Sequence, residues 1–233
     1  MTQYQTEQRN NNLRNVLILS GVVILAMFAL STYVWTQIPA GEQVCTHWNA
    51  AGECDDYGNK FVGIYLMPLI VTAVVGLFSF IPRIEPRAIH LAQSRKAYTA
   101  VWGIMLLFFF GLHSALMLEI LGGTANIGFV VPILIGILFI VIGNYLGKVR
   151  SNFFFGIRTP WTLSSELSWN KTHRLGGKLF MLLGFAFIVG ALVSIGEAWI
   201  FVLIGGILLM TLTLVLYSYF VWKSDAEAQG HAH

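Results

Sequence analysis

Six long apolar stretches, none carrying a formal charge, divide the chain at residues 16–35, 61–81, 97–118, 127–146, 179–195 and 198–222. A helix needs roughly 20 residues to cross the hydrocarbon core of a bilayer, and five stretches reach that length. The fifth, 179–195, is shorter and has to borrow from residues 175–178 or lie where the bilayer thins. The stretches lack the apolar–polar alternation of barrel strands, and in lipid every backbone amide needs a partner within its own segment. They therefore predict helices. The first is too long for a cleaved leader and no small-residue cleavage site follows it, so it reads as a retained span.

Between the spans, polar residues predict unequal connections. The third connection is a short Gly122, Gly123, Thr124, Ala125, Asn126 turn, and the fifth is little more than Gly196 and Glu197. The fourth, residues 147–178, is far longer. Loops of that length in compact bundles are functional or disordered. Phe153, Phe154, Phe155, Trp161 and Trp169 argue against disorder and for seating at the headgroup level or against the bundle.

Composition points the same way: 56% hydrophobic, 11% charged and a mean hydropathy of +0.70. Soluble domains carry about 25% charged residues. Charge then orients the bundle. Arg9, Arg14, Arg83, Arg87, Arg95, Lys96, Lys148, Arg150, Arg158, Lys171, Arg174, Lys178 and Lys223 all fall on one side, and Lys60 alone on the other. The positive-inside rule puts the first group, and both termini, in the cytoplasm. The net charge of +3 is thus a topology signal and not a sign of direct nucleic-acid binding. The expected fold is an all-α integral membrane bundle of six transmembrane helices, N-in/C-in, in a plasma membrane. It divides into a two-helix unit (1–95) and a four-helix unit (96–233) that contains the structured cytoplasmic loop 147–178.

Both cysteines, Cys45 and Cys54, lie in the first outer loop. That compartment is oxidising, which favours a disulfide over two buried thiols. The ring would enclose His47, Trp48, Asn49 and Gly52, with turn formers at Asn49, Gly52 and again at 55–58. His47 with Asp55 and Asp56 has no recognised metal-ligand spacing, so no metal or cofactor is expected. An ordered polar cap is the preferred reading, with Trp48 and Tyr57 as interfacial anchors.

In the long loop, Thr159 before Pro160 is a candidate helix N-cap, and Ser164 before Glu166 competes with it. A short helix should run to about Leu175, where Gly176 and Gly177 break or bend the chain. On it Glu166, Trp169, Asn170 and His173 share one arc. They form either a recognition face or an interfacial helix whose Lys171, Arg174 and Lys178 meet lipid phosphates. The sequon at Asn170, Lys171 and Thr172 lies on the cytoplasmic side and is disregarded. Inside the bundle, His113 can be a functional group or a neutral hydrogen-bonding one, and the second reading is preferred. Asn144 should pin the loop to the bundle. Gly136, Gly143 and Gly147 share a face suited to close packing, and Pro68 and Pro132 should kink their helices. The His231 and His233 tail reads as a loose end.

The run 143–148, then Asn152 to Leu163 with Gly156, Arg158, Thr159, Pro160 and Trp161, then Trp169 to Gly177, resembles the signature of the SdpI immunity-protein family. The outer loop, through His47, Trp48, Asn49, Gly52, Asp55, Tyr57 and Gly58, resembles the uncharacterised domain that often precedes that signature. Cys45 and Cys54 stand where prolines are common, and Gly147 stands where another is. The resemblance implies a non-enzymatic membrane protein that gives immunity to a secreted peptide toxin and captures a cytoplasmic winged-helix repressor. Arg158 to Trp161, Glu166 and Trp169 to Arg174 would bind the partner. Asn144, Asn152, Gly156, Gly176 and Gly177 would be structural. A small transporter of peptide-like or amphipathic substrates is the alternative, disfavoured by the scarcity of charge in the spans and the lack of a repeat. A membrane enzyme built on Glu166 and His173 ranks last, because no established catalytic spacing is present. Oligomeric state is not legible.

Overall fold

The computed structural model of the chain describes residues 3–193, 195 and 197–225, with side chains from Asn12 onward. Gly196, the Arg9 side chain and the His231–His233 tail lie outside the described residues. The elements are α1 (Gln3–Gln37), β1 (Gln43–Trp48), β2 (Cys54–Asn59), α2 (Lys60–Ile84), α3 (Ala88–Gln93), α4 (Arg95–Ile120), α5 (Ile127–Leu146), α6 (Pro160–Ser164), α7 (Glu166–Leu192) and α8 (Ala198–Lys223). Among the described residues, six helices are long and apolar enough to span a membrane: α1 from Asn12, α2, α4, α5, α7 and α8. They pack as neighbours α2–α1–α4–α5–α7–α8, with α5 against α7 the most extensive pair. Large apolar side chains such as Leu25, Phe201 and Leu209 point outward, two-thirds or more exposed, as lipid-facing residues do.

The spans agree with the apolar stretches, and one reading is corrected. α7 passes through Gly176 and Gly177 without a break, so the fifth span reaches 27 residues and needs no thinned bilayer. The connecting loop is accordingly 147–165, shorter than expected. Glycine is a poor helix former in water, but in lipid the helical hydrogen bond has no competitor. Here the two glycines serve packing. A Cβ on Gly177 would stand 2.6 Å from the Gly143 carbonyl oxygen, and one on Gly143 the same distance from that of Gly177. Gly136 and Gly184 repeat the arrangement one step along the interface. Gly147 makes no such close approach. Pro68 and Pro132 lie inside α2 and α5.

Between α1, α2 and α4 the core is Val16, Met27, Val71, Tyr98 and Trp102. His113 is fully buried there, its Nε2 lying 3.1 Å from Ser31 Oγ on α1 and 3.3 Å from the Met27 carbonyl. Its contacts are those of an interhelical hydrogen-bonding residue.

At the other end of the bundle from the termini, β1 and β2 form an antiparallel hairpin with a bulge between Cys45 and His47. Cys45 and Cys54 are joined as a disulfide, with Cα atoms 5.9 Å apart. The second turn expected at 55–58 is instead strand β2. Asn49 makes the one turn: its Oδ1 accepts from the amides of Ala51 and Glu53. Gly52 follows at φ +84°, where a Cβ would strike the Gly128 amide at 2.4 Å. The hairpin tip therefore rests on the start of α5. It also receives the Trp199 indole, which donates to the Ala50 carbonyl at 2.8 Å. Lys60 is buried at the root of the hairpin, donating to the Ile38 carbonyl and lying over the Trp35 ring.

Candidate functional site

After α5 the chain enters loop 147–165 and is held on three sides. Asn152, with no exposed surface, organises its turn. Its Oδ1 accepts from the amides of Phe154 (3.0 Å) and Phe155 (2.7 Å), and its Nδ2 donates to the carbonyls of Arg150 and Phe155 (both 2.9 Å). All four of its hydrogen-bonding positions are in use.

The first side is the corner between α2 and α3. Glu85 is almost fully buried, and its carboxylate accepts from the amides of Phe153 (3.0 Å) and Arg87 (2.9 Å). Arg87 lies over the Phe153 ring and donates to Ser151 Oγ and, at 3.3 Å, to the Leu163 carbonyl. His90 Nδ1 meets the Ser151 carbonyl at 2.8 Å, and Ser94 Oγ accepts from the Arg150 amide at 2.8 Å.

The second side is the first turns of α7. Trp169 is buried against Ala97 and Val149 and donates from Nε1 to the Val149 carbonyl at 2.7 Å. His173 stacks on it with ring centroids 4.0 Å apart. His173 Nδ1 donates to the Trp169 carbonyl (2.8 Å), which leaves Nε2 to accept from the Ile157 amide (2.9 Å). Those partners assign the neutral Nδ1–H tautomer. Gly156, at φ +118°, is the residue that allows this approach, since a Cβ there would lie 2.5 Å from His173 Nε2.

The third side is α8. Thr159 caps α6 in a reciprocal box with Thr162, and Pro160 occupies the first turn. Thr159 Oγ1 also lies 3.0 Å from Ser218 Oγ. Ser165, and not Ser164, caps α7, and its hydroxyl donates to Asp225 at 2.5 Å. Ser168 Oγ donates to the Ser218 carbonyl, and Trp161 packs edge-on against Tyr219.

This geometry redistributes the candidate residues. The arc of Glu166, Trp169, Asn170 and His173 is not one presented face, because Trp169, Thr172 and His173 are interior while Glu166 is exposed and Asn170 half-buried. Asn144 is exposed on α5 and makes no side-chain hydrogen bond among the described residues, so the pinning role expected of it belongs to Asn152. Gly176 is buried under Ile157 and Leu146. Outward, the loop and the start of α7 present Lys148, Arg150, Phe153, Phe154, Arg158, Pro160, Glu166, Lys171 and Arg174, with Ser164, Leu167 and Lys178 also exposed. Glu85, Arg87, His90, Ser94, Ser218 and Asp225 were not foreseen. Glu85 gave one signal, as a lone acid between Arg83 and Arg87 in an otherwise basic connection.

At the hairpin end, His47 Nδ1 and Asp55 Oδ1 pair at 2.6 Å in the open. Trp48 is half-buried and Tyr57 exposed. A cleft of about 570 Å³ opens between the hairpin tip and the ends of α5, α7 and α8, walled by Ala50, Phe129, Pro132, Gly190, Glu197 and Trp199. No group of three His, Cys, Asp or Glu side chains among the described residues is placed to hold a metal.

Fold and site together define a multi-pass α-helical membrane protein with a rigid polar cap at one end and a disulfide hairpin at the other. Residues 148–218 match the SdpI/YfhL protein family, and residues 22–72 match a domain of unknown function, DUF1648. Over 208 residues the chain is 27% identical to the immunity protein SdpI of Bacillus subtilis (strain 168), covering 88% of this chain and 95% of that protein. No solved structure matches. The resemblance read from the sequence is thus borne out in both halves. Glu85, Arg87, His90 and Ser94 fall outside both family matches.

Proposed function

We propose that this chain is an immunity protein of the plasma membrane, protecting the cell that makes it from a secreted peptide toxin. The similarity to the immunity protein SdpI across nearly its whole length carries the reading. Three further observations support it. The basic side chains favour placing the signature loop and both termini in the cytoplasm. The disulfide suits an oxidising exterior for the hairpin. The hairpin end is acidic, with Glu42, Glu53, Asp55, Asp56 and Glu197, and holds a cleft of the size that takes a few side chains of a peptide.

On the opposite face, Arg150, Phe153, Phe154, Arg158, Lys171 and Arg174 make an exposed cationic–aromatic surface on a rigid frame. A cytoplasmic repressor is the partner this face would capture, with Trp169, Asn170, Thr172 and His173 supporting it from beneath. Deleting the gene from its own host and exposing the cells to spent medium of the parent strain tests the immunity reading. Viability should fall and return when the gene is restored on a plasmid. Equal survival of deletion and parent in medium that kills unrelated cells would overturn it.

A further inference from the structure

A second concave feature lies at the signature end, away from the loop. Between α1, α4 and α5 there is an open groove of about 430 Å³. Its rim, where the membrane-spanning part of α1 begins and at the first turn of α4, is polar: Asn12, Asn15 and Lys96. Lys96 is exposed, and no carboxylate among the described residues pairs with it. Tyr145 forms the third wall, and the Lys148 ammonium, itself outside the lining, sits 4.9 Å over that ring, a second cation beside the groove. Neither Asn12 nor Asn15 spends its side chain on a hydrogen bond among the described residues. One to two helical turns deeper, about 6–10 Å along the parallel α1 and α4, the lining becomes Leu19, Ala100 and Gly103, with Val16 and Thr99 between them and the rim. Gly103 is not a packing glycine, since a Cβ there would meet nothing within 4 Å. Its missing side chain leaves the groove open.

We infer that this groove binds one anionic phospholipid from the leaflet on the signature side. Lys96 and Lys148 hold the headgroup phosphate, and an acyl chain lies along Leu19, Ala100 and Gly103. A polar cationic rim at the membrane boundary with an apolar floor below matches a phospholipid in polarity, charge and depth. A free anion would use the rim and leave the floor unexplained. The site depends only on the chain spanning a membrane. It is independent of orientation and of the immunity reading, so its failure would leave both standing.

The full chain, purified in a neutral detergent, is mixed with equal amounts of POPG and POPC, and retained lipid is counted by native mass spectrometry. One POPG per chain should be retained in preference to POPC. Each of Lys96→Gln and Lys148→Gln should reduce that preference about fivefold. Gly103→Leu should abolish retention of either lipid while circular dichroism stays unchanged, and excess inorganic phosphate should not displace POPG. Equal retention of the two lipids by the unaltered chain would overturn the assignment. So would a preference unchanged in both lysine variants, displacement by phosphate, or a lipid-free dimer that Gly103→Leu dissociates.

Discussion

Removing the Asn152 carboxamide strands four backbone groups: the amides of Phe154 and Phe155 and the carbonyls of Arg150 and Phe155. A buried donor or acceptor left without a partner costs about 1–3 kcal/mol, and relaxation of the loop recovers part of the sum. Asn152→Ala should therefore cost about 2–4 kcal/mol. The readouts are the melting temperature in detergent and the rate of trypsin cleavage at Arg150 and Arg158, which should rise. Asn152→Asp discriminates further. It keeps the oxygen that the two amides need but turns a second oxygen toward two carbonyls, so it should be destabilising despite its shape. Glu85→Ala removes the acceptor for the Phe153 and Arg87 amides, and the same cleavage should accelerate. Beyond its standing as a lone acid in a basic connection, the contribution of Glu85 was hidden in sequence because its main partner lies 68 positions away, in a loop whose path was unknown. Asn152 stood inside a recognisable motif, yet only the folded turn shows that all its polar atoms are consumed.

The spanning helices were legible because lipid imposes one simple rule on length and polarity. The 127–146 stretch, for example, coincides with α5. The reading failed where a residue's usual meaning in water was carried into the bundle. Gly176 and Gly177 look like a stop signal by propensity, but within α7 they admit Ile157 and the backbone of α5. Residues 55–58 look like a turn by composition, but the disulfide and pairing with β1 hold them extended. The recognition arc failed for another reason. Helical periodicity shows which side chains share a face, but not that α5 and loop 147–165 cover the Trp169 side. The glycine account is testable by contrast. Gly177→Ala and Gly143→Ala must force α5 from α7 or bend their backbones, at about 1–3 kcal/mol. Gly205→Ala on α8, where a Cβ meets nothing within 4 Å, should be neutral or slightly stabilising. Thermal unfolding of the three variants in one detergent checks this. Equal melting temperatures would mean the close approach of α5 and α7 is not what these glycines provide.

For the molecule as a whole, the two ends differ in the chemistry that stabilises them. The signature end is held by hydrogen bonds to buried neutral and acidic groups, and the hairpin end by a covalent bond added to strand pairing and a few hydrogen bonds such as Trp199 to Ala50. Under the proposed orientation each device suits its compartment, since a disulfide persists outside and would be reduced within. Reduction should therefore loosen the hairpin while leaving the signature loop intact. In intact cells, a membrane-impermeant reductant followed by an impermeant maleimide should label Cys45 and Cys54. In a Lys171→Cys variant the added thiol is exposed at the other end of the bundle. It should react only after the membrane is permeabilised, and trypsin resistance at Arg158 should survive reduction in both preparations. Labelling of Lys171→Cys from outside, with Cys45 and Cys54 protected, would invert the orientation. The cleft beside the hairpin tip would then face the cytoplasm, out of reach of a toxin arriving from the medium.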